Sequence, residues 1–373
     1  MSVIKKIFIV STILLLVLLI FFGIYTVAFK KSVMQPVQKD EKSTFDIADF
    51  ASKELTNVTS DSVISATIGP NGDTIRYYDA NDGRVWTMTL RGTNKEVLNS
   101  EVSGVPSEAK WSLDGNSVIL KYENGEIYTY NHATGQKNKL RDGMDDVEWA
   151  GTSGKILYKY FDKETKERSL NIANSDGTNW KKIADLPYRF TDFVQIPSSI
   201  LAAFWPRAEA GVNSSLFTAS TISENEPKKV FEGMFGADFL FSPDGKKALI
   251  SSVNTDGKVT LGVIDTKGKN YTDFLVPTIA RKAVWSEDGA TIYFAMPTNV
   301  PDNVVWPDDY NAKKFMTKDT FFKMDVNTGK KVRIIELEEI KDAVDAVNLF
   351  LSPSEDMLFF TDRNSGLLYR LSL

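Results

Sequence analysis

The sequence predicts an all-β fold, a seven-bladed β-propeller of four-stranded blades preceded by a single transmembrane helix. Three observations lead there. Residues 7–29 run for 23 positions without a charge. Beyond residue 45 the chain is a degenerate repeat, each copy opened by an apolar residue and a tight Ser-x-Asp-Gly-like turn. No sustained 3.6-residue apolar stripe follows the first segment, so helices have no claim on the remainder.

The first element is IFIVSTILLLVLLIFFGIYTVAF (7–29). A helix of that length spans roughly 35 Å at about 1.5 Å per residue, enough for a bilayer core of about 30 Å. Lys5 and Lys6 precede it and Lys30 and Lys31 follow it, so flanking charge does not settle its orientation. With a six-residue flank before it and a long domain after it, the segment reads as an uncleaved signal anchor. Residues 1–6 are then cytoplasmic and the domain extracytoplasmic, at the cell surface or in a periplasm. The rival is a signal peptide cut after Thr26-Val27-Ala28, but apolar regions of such peptides run about 7–15 residues. Residues 30–44, KKSVMQPVQKDEKST, lack apolar periodicity and read as a linker.

The propeller is expected over residues 45–373. Its clearest repeats are WSLDGNSVILKY (111–122), FSPDGKKALISS (241–252) and WSEDGATIYFAM (285–296). Weaker copies open at Ile68, Trp149 and Leu351, and a degenerate one at Val194. Successive openings are 43, 38, 45, 47, 44 and 66 residues apart. A period near 40–45 residues suits a four-stranded propeller blade. In each copy a short strand meets the turn, where Gly supplies positive φ and Ser or Asp bonds the local backbone. An apolar inner strand follows, then a strand closing on a second Gly turn, as in EIYTYNHATGQ (126–136) and FFKMDVNTGK (321–330).

The Trp/Phe-Ser-Pro-Asp-Gly-Lys turn followed by an apolar strand resembles the TolB-like branch of WD-type β-propellers, and the resemblance covers nearly everything after residue 45. It implies the fold and is nearly silent on activity, because such propellers serve binding proteins, protease gates and surface proteins. The chain departs from TolB in having an anchor and in lacking the separate α/β domain before the propeller, so no role in the Tol–Pal system is implied.

The last copy ends on GLLYRLSL (366–373), which reads as a third strand. An unpaired edge there invites aggregation. KELTN (53–57) resembles the fourth-strand segment KEVLN (95–99), so residues 53–58 are expected to complete the last blade.

Composition narrows the chemistry. The chain has 373 residues, 42% hydrophobic and 25% charged, with no Cys and one His, His132. Thiol catalysis, disulfides and Cys-ligated metals are excluded. His132 lies in the turn NHATGQ and reads as a solvated turn residue rather than the base of a triad. After residue 31 the chain carries 40 basic and 49 acidic residues without a basic block, so nucleic-acid binding is not expected. DANDG (79–83), NSDG (174–177) and NTDG (254–257) read as hairpin turns, since none supplies a full calcium ligand series. No metal or other cofactor is expected.

Two connections exceed what a blade needs, 296–319 in the sixth and 204–215 in the fourth. Both contain Trp-Pro. Trp306, Asp308, Asp309 and Tyr310 on the first, and Trp205 and Arg207 on the second, are the candidate binding residues, because Trp, Tyr and Arg dominate interaction hot spots. The competing expectation is that each Trp covers a blade end. The favoured function is a non-catalytic binding or scaffold module for a protein, peptide or envelope glycan. The alternative is a propeller-class hydrolase or lyase acting on polysaccharide through carboxylates. Acidic residues lining the central channel would distinguish the two.

Overall fold

The computed structural model describes residues 54–99, 104–151, 154–223 and 226–373. The anchor expected at 7–29 and the linker 30–44 lie outside them. Among the described residues no helix is long and apolar enough to cross a membrane.

The described chain is all-β apart from single-turn helical segments. It forms five four-stranded antiparallel sheets and one of seven strands. The larger sheet is two units joined, because Lys228–Phe241 pairs with Asn213–Ser220 through its first half and with Lys247–Val253 through its second. The register shift between Phe235 and Asp238 marks the passage from one unit to the next. Numbered along the chain, the seven units start with strands Val63–Ile68, Glu108–Trp111, Met144–Ala150, Thr191–Gln195, the second half of Lys228–Phe241, Ala283–Trp285 and Ala346–Leu351. The seventh unit takes its fourth strand from the other end of the chain. Leu55–Asn57 pairs antiparallel with Leu368–Ser372, Leu55 standing opposite Leu371.

Seven apolar clusters, each shared by consecutive units, close the units into a ring. Tyr78 and Val85 of unit 1 meet Val118 and Leu120 of unit 2. Ile119 and Ile127 then meet Ile156 and Tyr158 of unit 3, and Leu157 and Leu170 meet Phe193 and Phe204 of unit 4. Ala203 and Trp205 meet Phe239 and Ile250, and Leu249 and Leu261 meet Phe294 and Met324. Phe321 packs on Phe360 of unit 7, and Phe359 and Leu368 of unit 7 return to Ile75 and Tyr77 of unit 1. The alternation of strand side chains makes this possible, since both faces of every sheet are apolar and each is buried by a neighbour.

First strands of neighbouring units lie beside one another and form the inner ring. Those of units 2, 5 and 6 end in the Ser-x-Asp-Gly turn foreseen from the repeat. Ser242 Oγ receives the amide of Lys247 at 3.0 Å, and Gly245 N donates to Ser242 O at 2.9 Å. Gly245 has φ +66°, and a Cβ there would lie 2.0 Å from Pro197 O of the preceding unit. Glycine is thus required both for the turn and for the close stacking of turns between units. The turns occupy one end of the ring. The starts of the inner strands, and the second-to-third-strand connections, therefore share the opposite end.

Candidate active site at the inner ring

At that opposite end the inner strands carry charge in register. Trp111, Trp149, Gln195, Phe241 and Trp285 occupy the equivalent position before the turn, and three residues earlier stand Glu108, Asp146, Asp192, Asp238 and Lys282. Four consecutive units thus begin their inner strand with a carboxylate. Glu108, Asp146 and Asp238 each stand three residues before a repeat opening and Asp192 two before Val194, so the pattern was available in the sequence. It acquires meaning only once the ring sets these strands side by side.

The carboxylates of units 2 and 3 converge on Lys110. Its Nζ lies 2.6 Å from Glu148 Oε1, 2.8 Å from Asp146 Oδ1 and 3.1 Å from Glu108 Oε1, and it donates to Val147 O at 3.1 Å. The side chain of Lys110 is 20% exposed and that of Glu148 is 32% exposed, so the cluster is recessed yet reached by water. Desolvation alone would push the Lys110 ammonium down, but Glu148, Asp146 and Glu108 outweigh it and hold it protonated. Glu148 is pushed up to about 7 by burial, against the pull of Lys110. Burial opposes ionisation of Asp146 as well, but there Lys110 prevails and the carboxyl is held below its usual range. Two neighbouring carboxyls are driven apart in this way, one ionised and one titrating near neutrality.

A second network continues around the ring. Asp192 accepts from Arg281 Nη2 at 2.8 Å and from Arg207 Nε at 3.3 Å. Arg281 Nε also donates to Asp238 Oδ2 at 2.6 Å, and Trp205 Nε1 donates to Asp238 Oδ1 at 3.1 Å. Burial raises the Asp192 carboxyl, opposed by Arg281. Lys159, buried on the second strand of unit 3, is lowered by desolvation and lies within the field of both Asp146 and Asp192.

The residues singled out from the long connections are placed differently from the expectation. Trp306 and Tyr310 are each 3% exposed, and they stack at 5.1 Å between ring centroids over Val259, Ile279 and Phe315. Tyr310 Oη donates to Asp345 Oδ1 at 2.6 Å, and the Arg363 guanidinium lies over its ring. These aromatics offer no free surface. Asp308 Oδ1 accepts the amide of Ala210 at 3.0 Å, and Asp309 accepts from Val305 N and from Lys314 Nζ. They spend their acceptors on the loop itself and on its junction with the fourth-unit connection. That connection is short, because strands Leu201–Pro206 and Asn213–Ser220 take up half of 204–215 and leave only 207–212 between them. Trp205 is buried. Arg207 alone reaches the surface, its side chain 44% exposed and tied to the inner ring through Asp192. His132 is not a solvated turn residue. Its ring stacks on Trp111, meets Tyr130 edge-on and shares a hydrogen bond with Tyr78 Oη at 3.1 Å.

No family model and no curated protein sequence matches the chain. Solved structures do. An oligogalacturonate lyase in complex with manganese is similar at 12% identity and TM-score 0.62, over 86% of this chain and 93% of that one. The oligogalacturonate lyase of Vibrio parahaemolyticus is similar at 10% identity and TM-score 0.63, over 87% and 94%. The Cps50 (Swd1) β-propeller domain of Myceliophteria thermophila is similar at 11% and TM-score 0.55, over 86% and 99%. These likenesses establish the fold as a β-propeller. They also correct the functional expectation. Lyases match this chain over 86–87% of its length, and the inner ring carries the carboxylates named as the mark of a catalytic propeller, so the non-catalytic scaffold reading is dropped. The manganese of the first lyase does not fit here. The single His is walled in by aromatics, and no three His, Cys, Asp or Glu among the described residues are grouped to hold a metal. Where Glu108, Asp146 and Glu148 do converge, the Lys110 ammonium already occupies the point between them.

Proposed function

We propose that this propeller is an enzyme that cleaves polysaccharide, a lyase or hydrolase working through the carboxylates of its inner ring. The observation that carries the reading is the Glu148–Lys110–Asp146 cluster. A carboxyl poised near 7 is suited to moving a proton at neutral pH. Glu148 is the proton-transfer group: in hydrolysis it protonates the leaving glycosidic oxygen while a water, giving its proton to ionised Asp146, adds to the anomeric carbon; in elimination its ionised form removes the proton next to a sugar carboxylate, the C–O bond breaks as the double bond forms, and the leaving oxygen takes a proton from water. Asp146 stays ionised and Lys110 holds both in place. The oligogalacturonate lyases it resembles give the reaction class its precedent, and here the Lys110 ammonium stands between the carboxylates. With residues 7–29 as a membrane anchor, we place the activity outside the cytoplasm; protease added to intact spheroplasts then digests the domain, and complete protection would contradict this placement.

The test is cleavage by the purified chain of a panel of neutral and acidic polysaccharides. New reducing ends are scored together with the ultraviolet absorbance of unsaturated products, which only elimination generates. Glu148→Gln should lower the rate by about 100-fold or more with unchanged melting. An undiminished rate in that variant removes Glu148 from the mechanism, and no cleavage on any polysaccharide removes the reading.

A further inference from the structure

We infer that the rim beside Asp192 is a glycan subsite in which Phe190 is the stacking platform and Arg207 and Arg189 select a sugar bearing a carboxylate. This deepens the proposed function and rests on it for the site to be a substrate site. The connection Tyr188-Arg189-Phe190 enters the inner strand Thr191–Gln195 at the end of the ring where the charged networks lie. Phe190 is 48% exposed and Tyr188 is 37% exposed, so two aromatics reach the surface at this rim. Both are held by backbone rather than left loose. Phe190 O accepts the amide of Arg207 at 3.0 Å, and Tyr188 O accepts from Thr191 Oγ1 at 3.0 Å. A platform fixed in this way loses little entropy on binding.

Two cations lie over the ring of the platform, which still stays half exposed. The guanidinium of Arg189 lies 5.1 Å from the centre of the Phe190 ring and that of Arg207 5.7 Å from it. Arg207 has one long contact to Asp192, at 3.3 Å, and leaves much of its fork exposed. Asp192 already receives the stronger bond from Arg281. A guanidinium whose carboxylate partner is shared in this way keeps N–H donors for a planar carboxylate. The sugar class that suits an aromatic face flanked by such forks is a uronate, its apolar ring face on Phe190 and its carboxylate at the guanidinium edge. Asp192 heads the inner strand of the unit next to the one that carries Asp146 and Glu148, so the platform and the carboxylate cluster belong to neighbouring units at the same end of the ring.

The experiment is equilibrium binding of polygalacturonate and of its neutral methyl ester to the full chain, read by affinity electrophoresis and calorimetry, beside turnover of the same two polymers. Phe190→Ala should weaken binding of both polymers about 10- to 30-fold with unchanged melting. Arg207→Gln should weaken the acidic polymer alone, and in turnover raise KM more than it lowers kcat. Equal affinity for acidic and neutral polymers in the unaltered chain, or unchanged affinity in the folded Phe190→Ala variant, overturns the subsite. Tight binding of the acidic polymer without cleavage leaves the subsite standing and instead removes the catalytic reading.

Discussion

Lys282 Nζ lies 2.6 Å from Asp345 Oδ1 with both side chains sealed from solvent. The same ammonium is 2.5 Å from Asp319 Oδ2 and donates to Thr317 Oγ1 and Ala346 O. Burial raises the Asp319 carboxyl and Lys282 opposes this, while at Asp345 Lys282 overcomes burial and holds the carboxyl low. Removing one partner of such a cluster leaves charge stranded in a dry interior. Lys282→Ala should therefore cost about 3–5 kcal/mol, read as a lower urea midpoint. Little loss would mean that water enters the cavity and takes over the lysine's bonds.

Trp306 packs the sixth-unit connection onto the fifth unit, away from the Glu148–Lys110–Asp146 cluster of units 2 and 3. Trp306→Ala should destabilise by about 3–5 kcal/mol while leaving the rate per folded molecule intact. A lost rate at full stability would return the residue to a role in substrate binding.

Acid should weaken the fold through His132. Burial, helped by Arg76, lowers its imidazole to about 4 from an ordinary 6.5. In the window between these values the unfolded chain takes up a proton that the folded chain refuses. The His132 contribution is complete above about 6.5 and is lost as pH falls toward 4, by no more than about 3 kcal/mol. His132→Gln should flatten the urea midpoint over that interval. Parallel curves for the two proteins would place the acid sensitivity elsewhere.

The Glu148 assignment has a pH signature. Lys110 pulls the carboxyl down against burial, so Lys110→Met should move the Glu148 limb of the pH–rate profile to higher pH by about one unit. A limb that stays in place means that another group sets it.

The turns were legible because a positive φ at Gly115, Gly245 and Gly289 and a capping Ser are local demands, written into Ser-x-Asp-Gly wherever it occurs. The catalytic candidates were not read, although Asp146 and Glu148 flank a landmark tryptophan. Among 49 acids nothing in the chain's order says which of them face one another. That follows from the ring, where Lys110 of one unit reaches into the next. The Trp-Pro loops failed for a related reason. A large aromatic on a long connection looks the same in sequence whether it awaits a partner or has found Val259 and Ile279 within its own chain. Phe190 is the converse, an aromatic in a short connection that stays half exposed, with only Arg189 and Arg207 over its ring.

The continuous strand Lys228–Phe241 has a mechanical consequence. Elsewhere a loop separates consecutive units, but units four and five share one uninterrupted hydrogen-bonded backbone. Neither can detach without stripping a strand from the other. Asp192 and Asp238, the two acids held together by Arg281, sit on that fused pair. Their spacing is braced against breathing of the ring, and the amides of this double unit should be among the slowest in the molecule to exchange with deuterium.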